Sequence, residues 1–198
     1  MSHREDLLAA ARKLLEEKGY ARITARDLVA ESGTNLGSIA YHFGTKEGLL
    51  NHTIGEVFEE WTDQLAQVAM ADPAALPIER GRVTWTTMLE NLSSRRALLL
   101  SYVEALAQAE RTVSLREQFA EQYRRCRTRV AELAARSLGN GWGPEDRRCL
   151  AVASFVIAVC DGLSVQWLLH PGDAPTGDEL SEGLAAMWAA SYPVPDGP

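Results

Sequence analysis

Cysteine is scarce in this sequence: Cys126, Cys149 and Cys160 are the only three, and none belongs to a CxxC pair. An odd, unpaired set offers no disulfide framework and no zinc-ribbon spacing, and reads as reduced, mostly buried thiols in a cytosolic protein. The four histidines share no metal-like spacing. Also missing are the GxSxG, P-loop, HExxH and dinucleotide fingerprints that carry nucleophilic, phosphate, zinc and hydride chemistry. These absences point away from an enzyme, and no metal or cofactor is expected. Long apolar runs are rare as well. The N-terminus, MSHREDLLAA, is charged and lacks a signal-peptide pattern. The most apolar stretch, Cys149–Leu169, meets Asp161 after about a dozen residues, which suits a buried core helix better than a membrane span. Neither strand-like alternation nor an internal repeat is present.

The 198 residues are 46% hydrophobic and 24% charged, ordinary for a globular chain able to bury a core without staples. The net charge of −7 is unevenly placed. Residues 1–50 hold seven basic and seven acidic side chains, whereas the remainder holds 13 and 20. All the excess acid therefore lies outside the N-terminal segment, which leaves that segment able to meet a polyanion.

Glycine and proline fall at breaks between helical patterns. From Arg4 to Lys18, Leu7, Leu8, Ala11, Leu14 and Leu15 recur at helical spacing, and Gly19 is a stop. Thr24 and Asp27 form a capping-box pair before a short helix that Gly33 closes. Asn35 can cap a third helix reaching about His42, and Thr45 a fourth that opens at Lys46. Linkers at 70–81, 139–144 and 170–178 separate further helices expected near 82–92, 95–110, 113–138, 145–169 and 178–191. Residues 193–198 read as a disordered tail.

The stretch from Ile23 to Leu50 carries the function. Two short helices joined by Ser32-Gly33-Thr34-Asn35 make a helix-turn-helix. Leu28, Val29 and Ile39 point inward and Phe43 seals the end, leaving Leu36, Gly37, Ser38, Tyr41 and His42 to face outward. Such a helix can enter a DNA major groove.

With Thr24, the Gly33 turn, Gly37, Ile39, Tyr41-His42-Phe43 and the TKEGLL of Thr45–Leu50, residues 4–65 resemble the TetR-like transcriptional regulators. The resemblance implies roles for individual residues. Thr24 and neighbouring amides would meet phosphate at a helix N-terminus, and Asn35 at the head of the next helix is counted with the DNA-binding residues. Arg26 would read guanine, and Gly37 would let the backbone approach the bases. Leu36 and Ser38 would face base edges, Leu36 against a thymine methyl. Tyr41, His42 and Lys46 would hold phosphates. Ala40 stands where many relatives carry Tyr, which removes one expected contact.

The same resemblance implies an all-α fold with a three-helix DNA-binding domain in residues 1–50, including the start of a linking fourth helix. A larger helical ligand-binding and dimerisation domain would occupy 51–192. Its helices near 145–169 and 178–191 would form a four-helix bundle with a second copy. The first of these is apolar on nearly every side, which requires cover on both sides, and Gly162 would allow close approach. The implied activity is sequence-specific binding of double-stranded DNA by a homodimer, most simply as a repressor released from an inverted-repeat operator by a small molecule. Control by a protein partner is the alternative. Trp85, Met88, Tyr102, Phe119, Tyr123 and Trp167 could line an effector pocket or be plain core. Glu104 reads as an exposed charge, with a buried acid for a cationic ligand as the alternative. Asp161 would need a partner if buried. The basic run Arg124–Arg129 reads as a solvated face pairing with Glu117, Glu121 and Glu132.

Overall fold

The computed structural model describes residues 2–139 and 141–191, and the tail at 193–198 lies outside them. Among the described residues the chain is all helical, without strands. Nine helices can be followed there: α1 (His3–Lys18), α2 (Ala25–Ser32), α3 (Leu36–Phe43), α4 (Lys46–Ala69), α5 (Pro77–Asn91), α6 (Arg96–Ala109), α7 (Val113–Leu138), α8 (Arg147–Leu169) and α9 (Gly177–Ser191). A 3-10 turn, Tyr20–Arg22, lies between α1 and α2, a feature the helical periodicity does not announce. Helix α5 starts within the expected 70–81 linker. Pro77 occupies its first turn, where a missing N–H costs nothing, and the Glu79 carboxylate accepts the Leu76 N–H at 2.7 Å.

Packing groups the residues into two units. The first comprises the chain up to Thr62 together with Ser93–Arg127; the second comprises Asp63–Leu92 and the chain from Thr128 onward. The first unit is built on α1, which is capped at Ser2 through a reciprocal bond with Glu5 and buries Leu7, Ala10, Ala11, Leu14 and Leu15. These pack with Leu28, Ile39, Leu49, Leu50 and Ile54 from the next three helices. Leu98, Ala105, Ala109, Leu115 and Phe119 of α6 and α7 complete the same core. Helix α6 thus shares a core with the helix-turn-helix.

In the second unit α5 lies against α9 and α8. Gly177 makes the α5–α9 approach possible, because a Cβ there would fall 2.0 Å from Thr86 Oγ1 and 2.7 Å from the Thr86 nitrogen. The Arg80 guanidinium, 9% exposed, donates to the carbonyls of Ala69, Pro73 and Ala75 and thereby ties the end of α4 to the start of α5. A small cluster of Ala131, Cys149 and Ala153 packs with Trp142 and Leu150. Helix α8 buries Cys149, Ala153, Leu163 and Ser164, yet Val152, Phe155, Val165 and Leu169 are exposed. It is long and apolar enough to cross a membrane by length and composition alone. Its Asp161 is half-buried. On α9, Met187 and Trp188 are also exposed, and Trp188 meets Phe155 edge-on at 6.2 Å.

Among the described residues none of the three cysteines forms a disulfide; Cys149 is buried, and Cys126 and Cys160 are half-buried. The basic run on α7 is an exposed ion-pair face. Arg124 pairs with Glu121, Arg125 with Glu59 and Glu121, and Arg129 with Asp63 and Glu132. Two of the expected partners are present, and α4 supplies two that the α7 sequence alone does not show.

Candidate nucleic-acid interface

The turn between α2 and α3 depends on Gly33, which adopts φ +66°, a left-handed conformation that favours glycine. Asn35 then caps α3 by accepting the Ser38 N–H at 3.1 Å. Helix α3 is eight residues long and buries Ser38 and Ile39, with Phe43 half-buried at its end. Leu36, Gly37, Ala40, Tyr41 and His42 are exposed, Leu36 at 55% and Tyr41 at 84%. Two large side chains, Leu36 and Tyr41, are thereby held in water on a helix of eight residues.

Ser38 needs a correction as a candidate base reader. It is 8% exposed, and its Oγ lies 3.3 Å from His3 Nδ1 at the head of α1. Its place on the outward surface is taken by Ala40. At 100° per residue, Leu36, Gly37, Ala40 and Tyr41 make one stripe about 140° wide, whereas Ser38 and Ile39 fall on the opposite side. Gly37 has a local role in addition to the expected one: a Cβ there would sit 3.0 Å from the capping Asn35 Oδ1. Any larger residue presses on the cap before it meets a base.

At the head of α2 the expected phosphate site is partly occupied from within. Asp27 Oδ2 accepts both the Thr24 N–H at 2.8 Å and the Thr24 hydroxyl at 2.7 Å, and Thr24 Oγ1 accepts the Asp27 N–H in return. Lys18 holds the other carboxylate oxygen at 2.7 Å. The Lys18 bond, and after it the bonds from Thr24, hold the Asp27 carboxyl well below the usual carboxylate range. Arg26, one residue into the same turn, is exposed.

Lys46 is half-buried and donates to the Ile23 carbonyl at 2.9 Å, with Glu47 at 3.2 Å. It therefore ties the start of α4 to the entry of α2, and an ammonium's third donor remains for an anion. Two residues on, Gly48 explains the glycine of TKEGLL. A Cβ at Gly48 would lie 2.3 Å from the Phe43 carbonyl oxygen, so α4 can rest on the end of α3 only with glycine there. Neither Gly48 nor Ala40 was singled out from the sequence as a site residue; the first could have been found from its place beside the Gly44 turn.

The six pocket candidates divide between the units. Tyr102, Phe119 and Tyr123 belong to the first. Tyr102 packs on the core beside Phe58 (ring centroids 4.8 Å) and Phe119 (6.1 Å), and its hydroxyl bonds that of Tyr123. Trp85, Met88 and Trp167 belong to the second. Met88 is 1% exposed, Trp167 is half-buried, and Trp85 is buried with its indole Nε1 lacking a hydrogen-bond partner among the described residues. Glu104 is exposed and accepts the Ala21 N–H at 2.9 Å. Among the described residues, no group of three or more His, Cys, Asp or Glu side chains could hold a metal ion.

Comparisons with known proteins agree on one family. Residues 7–53 match the model for bacterial regulatory proteins of the tetR family, and residues 77–191 match the C-terminal region of BetI-type transcriptional repressors. A helix-turn-helix transcriptional repressor of Mycobacterium tuberculosis is 34% identical over 85 residues, 42% of this chain and 45% of that protein. The regulator BetI of Stenotrophomonas maltophilia is 31% identical over 64 residues, 32% of this chain and 33% of that one. The match thus spans less than half the length of these curated relatives. Among solved structures, the multidrug binding protein EbrR complexed with proflavin is 28% identical with a TM-score of 0.64, covering 94% of this chain and 99% of that one. A putative regulator from Rhodococcus sp. RHA1 shares the fold at a TM-score of 0.70 and 16% identity, over 98% of this chain and 97% of that one. One of the two models covers more than half of the chain and the other its helix-turn-helix, and the chain belongs to the TetR family of transcriptional regulators.

Proposed function

We propose that the chain is a cytoplasmic repressor that dimerises through α8 and α9, grips an inverted-repeat operator with two copies of α3, and is released by a small-molecule effector. The observation that carries this reading is the pairing of two exposed apolar surfaces with different chemistry. On α8 and α9, Val152, Phe155, Val165, Met187 and Trp188 stand exposed, a surface that a second copy would cover. On α3, the Leu36–Gly37–Ala40–Tyr41 stripe is small in its middle, which favours close approach to base pairs. Leu36 and Ala40 suit thymine methyl groups in the major groove, with Arg26 of α2 placed for a guanine. Tyr41, His42, Lys46 and the remaining free amides at the head of α2 serve as backbone contacts.

The effector part rests on the likeness to EbrR, whose structure contains proflavin. The buried, unpartnered indole N–H of Trp85 supports it, because such a group is costly unless an acceptor reaches it. Light scattering at micromolar concentration tests the dimer, with about twice the chain mass of 21.7 kDa expected. A screen of small molecules by thermal shift, followed by DNA release, tests the effector. A clean monomer, or ligands that stabilise the chain without weakening DNA binding, would contradict the corresponding part.

A further inference from the structure

Helices α6 and α7 reach the DNA-reading part of the first unit through four polar contacts around a shared apolar core. Gln118 and Gln122, one turn apart on α7, donate to the carbonyls of Gly48 at 3.2 Å and Asn51 at 3.0 Å in the first turns of α4. Each of these carbonyls has a second lone pair beyond its intrahelical bond. The seat for Gln122 is made by Gly55, where a Cβ would fall 2.0 Å from Gln122 Nε2 and 2.4 Å from its Cδ. Asn51 is fully buried and its Oδ1 also accepts the Tyr20 hydroxyl at 2.9 Å, which links the same point of α4 to the turn after α1. From α6, Glu104 accepts the Ala21 N–H at 2.9 Å, three residues before the α2 cap, and the buried Ser101 hydroxyl faces the Leu15 carbonyl at 3.4 Å.

These contacts fall on both flanks of α3, at the entry to α2 and at the start of α4. Apolar packing alone would tolerate a small slide of one helix along another, whereas paired amide–carbonyl bonds with a glycine seat fix the register. We infer that Glu104 and Gln122 are positioning residues for operator recognition: they touch no DNA, but hold the two segments that aim α3. The inference rests on α3 being the reading helix, and selection of a preferred duplex by the wild-type chain tests that point separately.

The test uses the full chain and the duplex that it selects from a random pool, beside an unrelated duplex of equal length. Glu104→Ala removes the acceptor, Glu104→Gln keeps one, and Gln122→Met fills the Gly55 seat without a donor. Both removals should weaken binding to the selected duplex severalfold, up to the roughly tenfold ceiling that the net worth of one such bond sets. Binding to the unrelated duplex should stay within about twofold, since backbone contacts tolerate small misalignment. Glu104→Gln should recover most of the loss, and hydrogen exchange at the Ala21 amide should speed up in Glu104→Ala alone. Equal losses on both duplexes, wild-type affinity in Glu104→Ala, or no rescue by Glu104→Gln would each overturn the inference. Because Glu104 is exposed, its variants keep the test decisive even where Gln122→Met fails to fold.

Discussion

Adding a single methyl group at Gly48 separates the packing account from local propensity by the sign of the effect. Even in the first turn of a helix, Gly→Ala ordinarily stabilises, by up to about 1 kcal/mol, because alanine gives up less backbone entropy on folding. Here the new Cβ would lie 2.3 Å from the Phe43 carbonyl oxygen, 3.3 Å from Thr45 Oγ1 and 3.4 Å from the Phe43 carbonyl carbon. Ordinary contact begins near 3.4 Å, so α3 and α4 must part by about 1 Å. The obstructing atom is backbone and cannot swing aside, which places the cost at or above the upper end of the roughly 1–3 kcal/mol typical of overpacking. The net expectation for Gly48→Ala is destabilisation by about 2 kcal/mol or more, a fall in Tm of at least roughly 4–8 °C for a chain of this size. Operator affinity should fall more than stability, since a shift of about 1 Å exceeds what hydrogen bonds to base edges tolerate. Urea unfolding at a fixed protomer concentration and fluorescence anisotropy with the selected duplex measure the two effects. A variant at least as stable as the wild type, with unchanged affinity, would refute the reasoning.

Three further outcomes follow from other contacts. Arg80→Leu should destabilise by about 2–4 kcal/mol, because it strands three carbonyls around a buried site, and a urea midpoint close to wild type would contradict this. Asp27 has a folded-state pKa below its unfolded value, so its stabilisation is complete above the ordinary carboxylate range near pH 4 and is lost as pH falls through the lower folded value. Asp27→Asn should accordingly be less stable at neutral pH but show a flatter loss of stability between about pH 4 and pH 2, and parallel curves for the two proteins would exclude the assignment. Lys46→Ala should weaken binding to selected and unrelated DNA alike and lower the salt slope of the dimer by about 1.8, one phosphate's worth per protomer; the slope staying constant would reduce Lys46 to its bond with Ile23.

Much of the fold is legible in the amino-acid order because the punctuation is local. Gly19, Gly33, Thr24 and Asn35 act on backbone within a few residues of themselves, and each sits at an element end in the structure. The start of α5 was not legible in the same way: Pro77 reads as a breaker, yet it is also the residue best suited to a first helical turn. Ser38 illustrates a different limit. A small polar residue on a recognition helix suits base contact, and only the position of His3, 35 residues away, shows that it turns toward α1. Likewise Thr24 suits a phosphate, but the Lys18–Asp27 pair that fills its surroundings depends on how α1 crosses α2. The grouping of α6 with the helix-turn-helix was hidden for the same reason, since Glu104 meets Ala21 across 83 positions of sequence.

Selection from a random pool of duplexes, followed by footprinting of the bound complex, tests the central claim most directly. Two copies of α3 related by a two-fold axis should enter successive major grooves on one face of the duplex. The selected sites should then be inverted repeats whose half-sites lie about one helical turn or somewhat more apart, with two protected patches of equal extent. Within each half-site, thymines are expected opposite Leu36 and Ala40, and Leu36→Ala should relax the preference there without abolishing binding. Recovery of no common sequence, or of a single asymmetric site bound by one chain, would contradict the account.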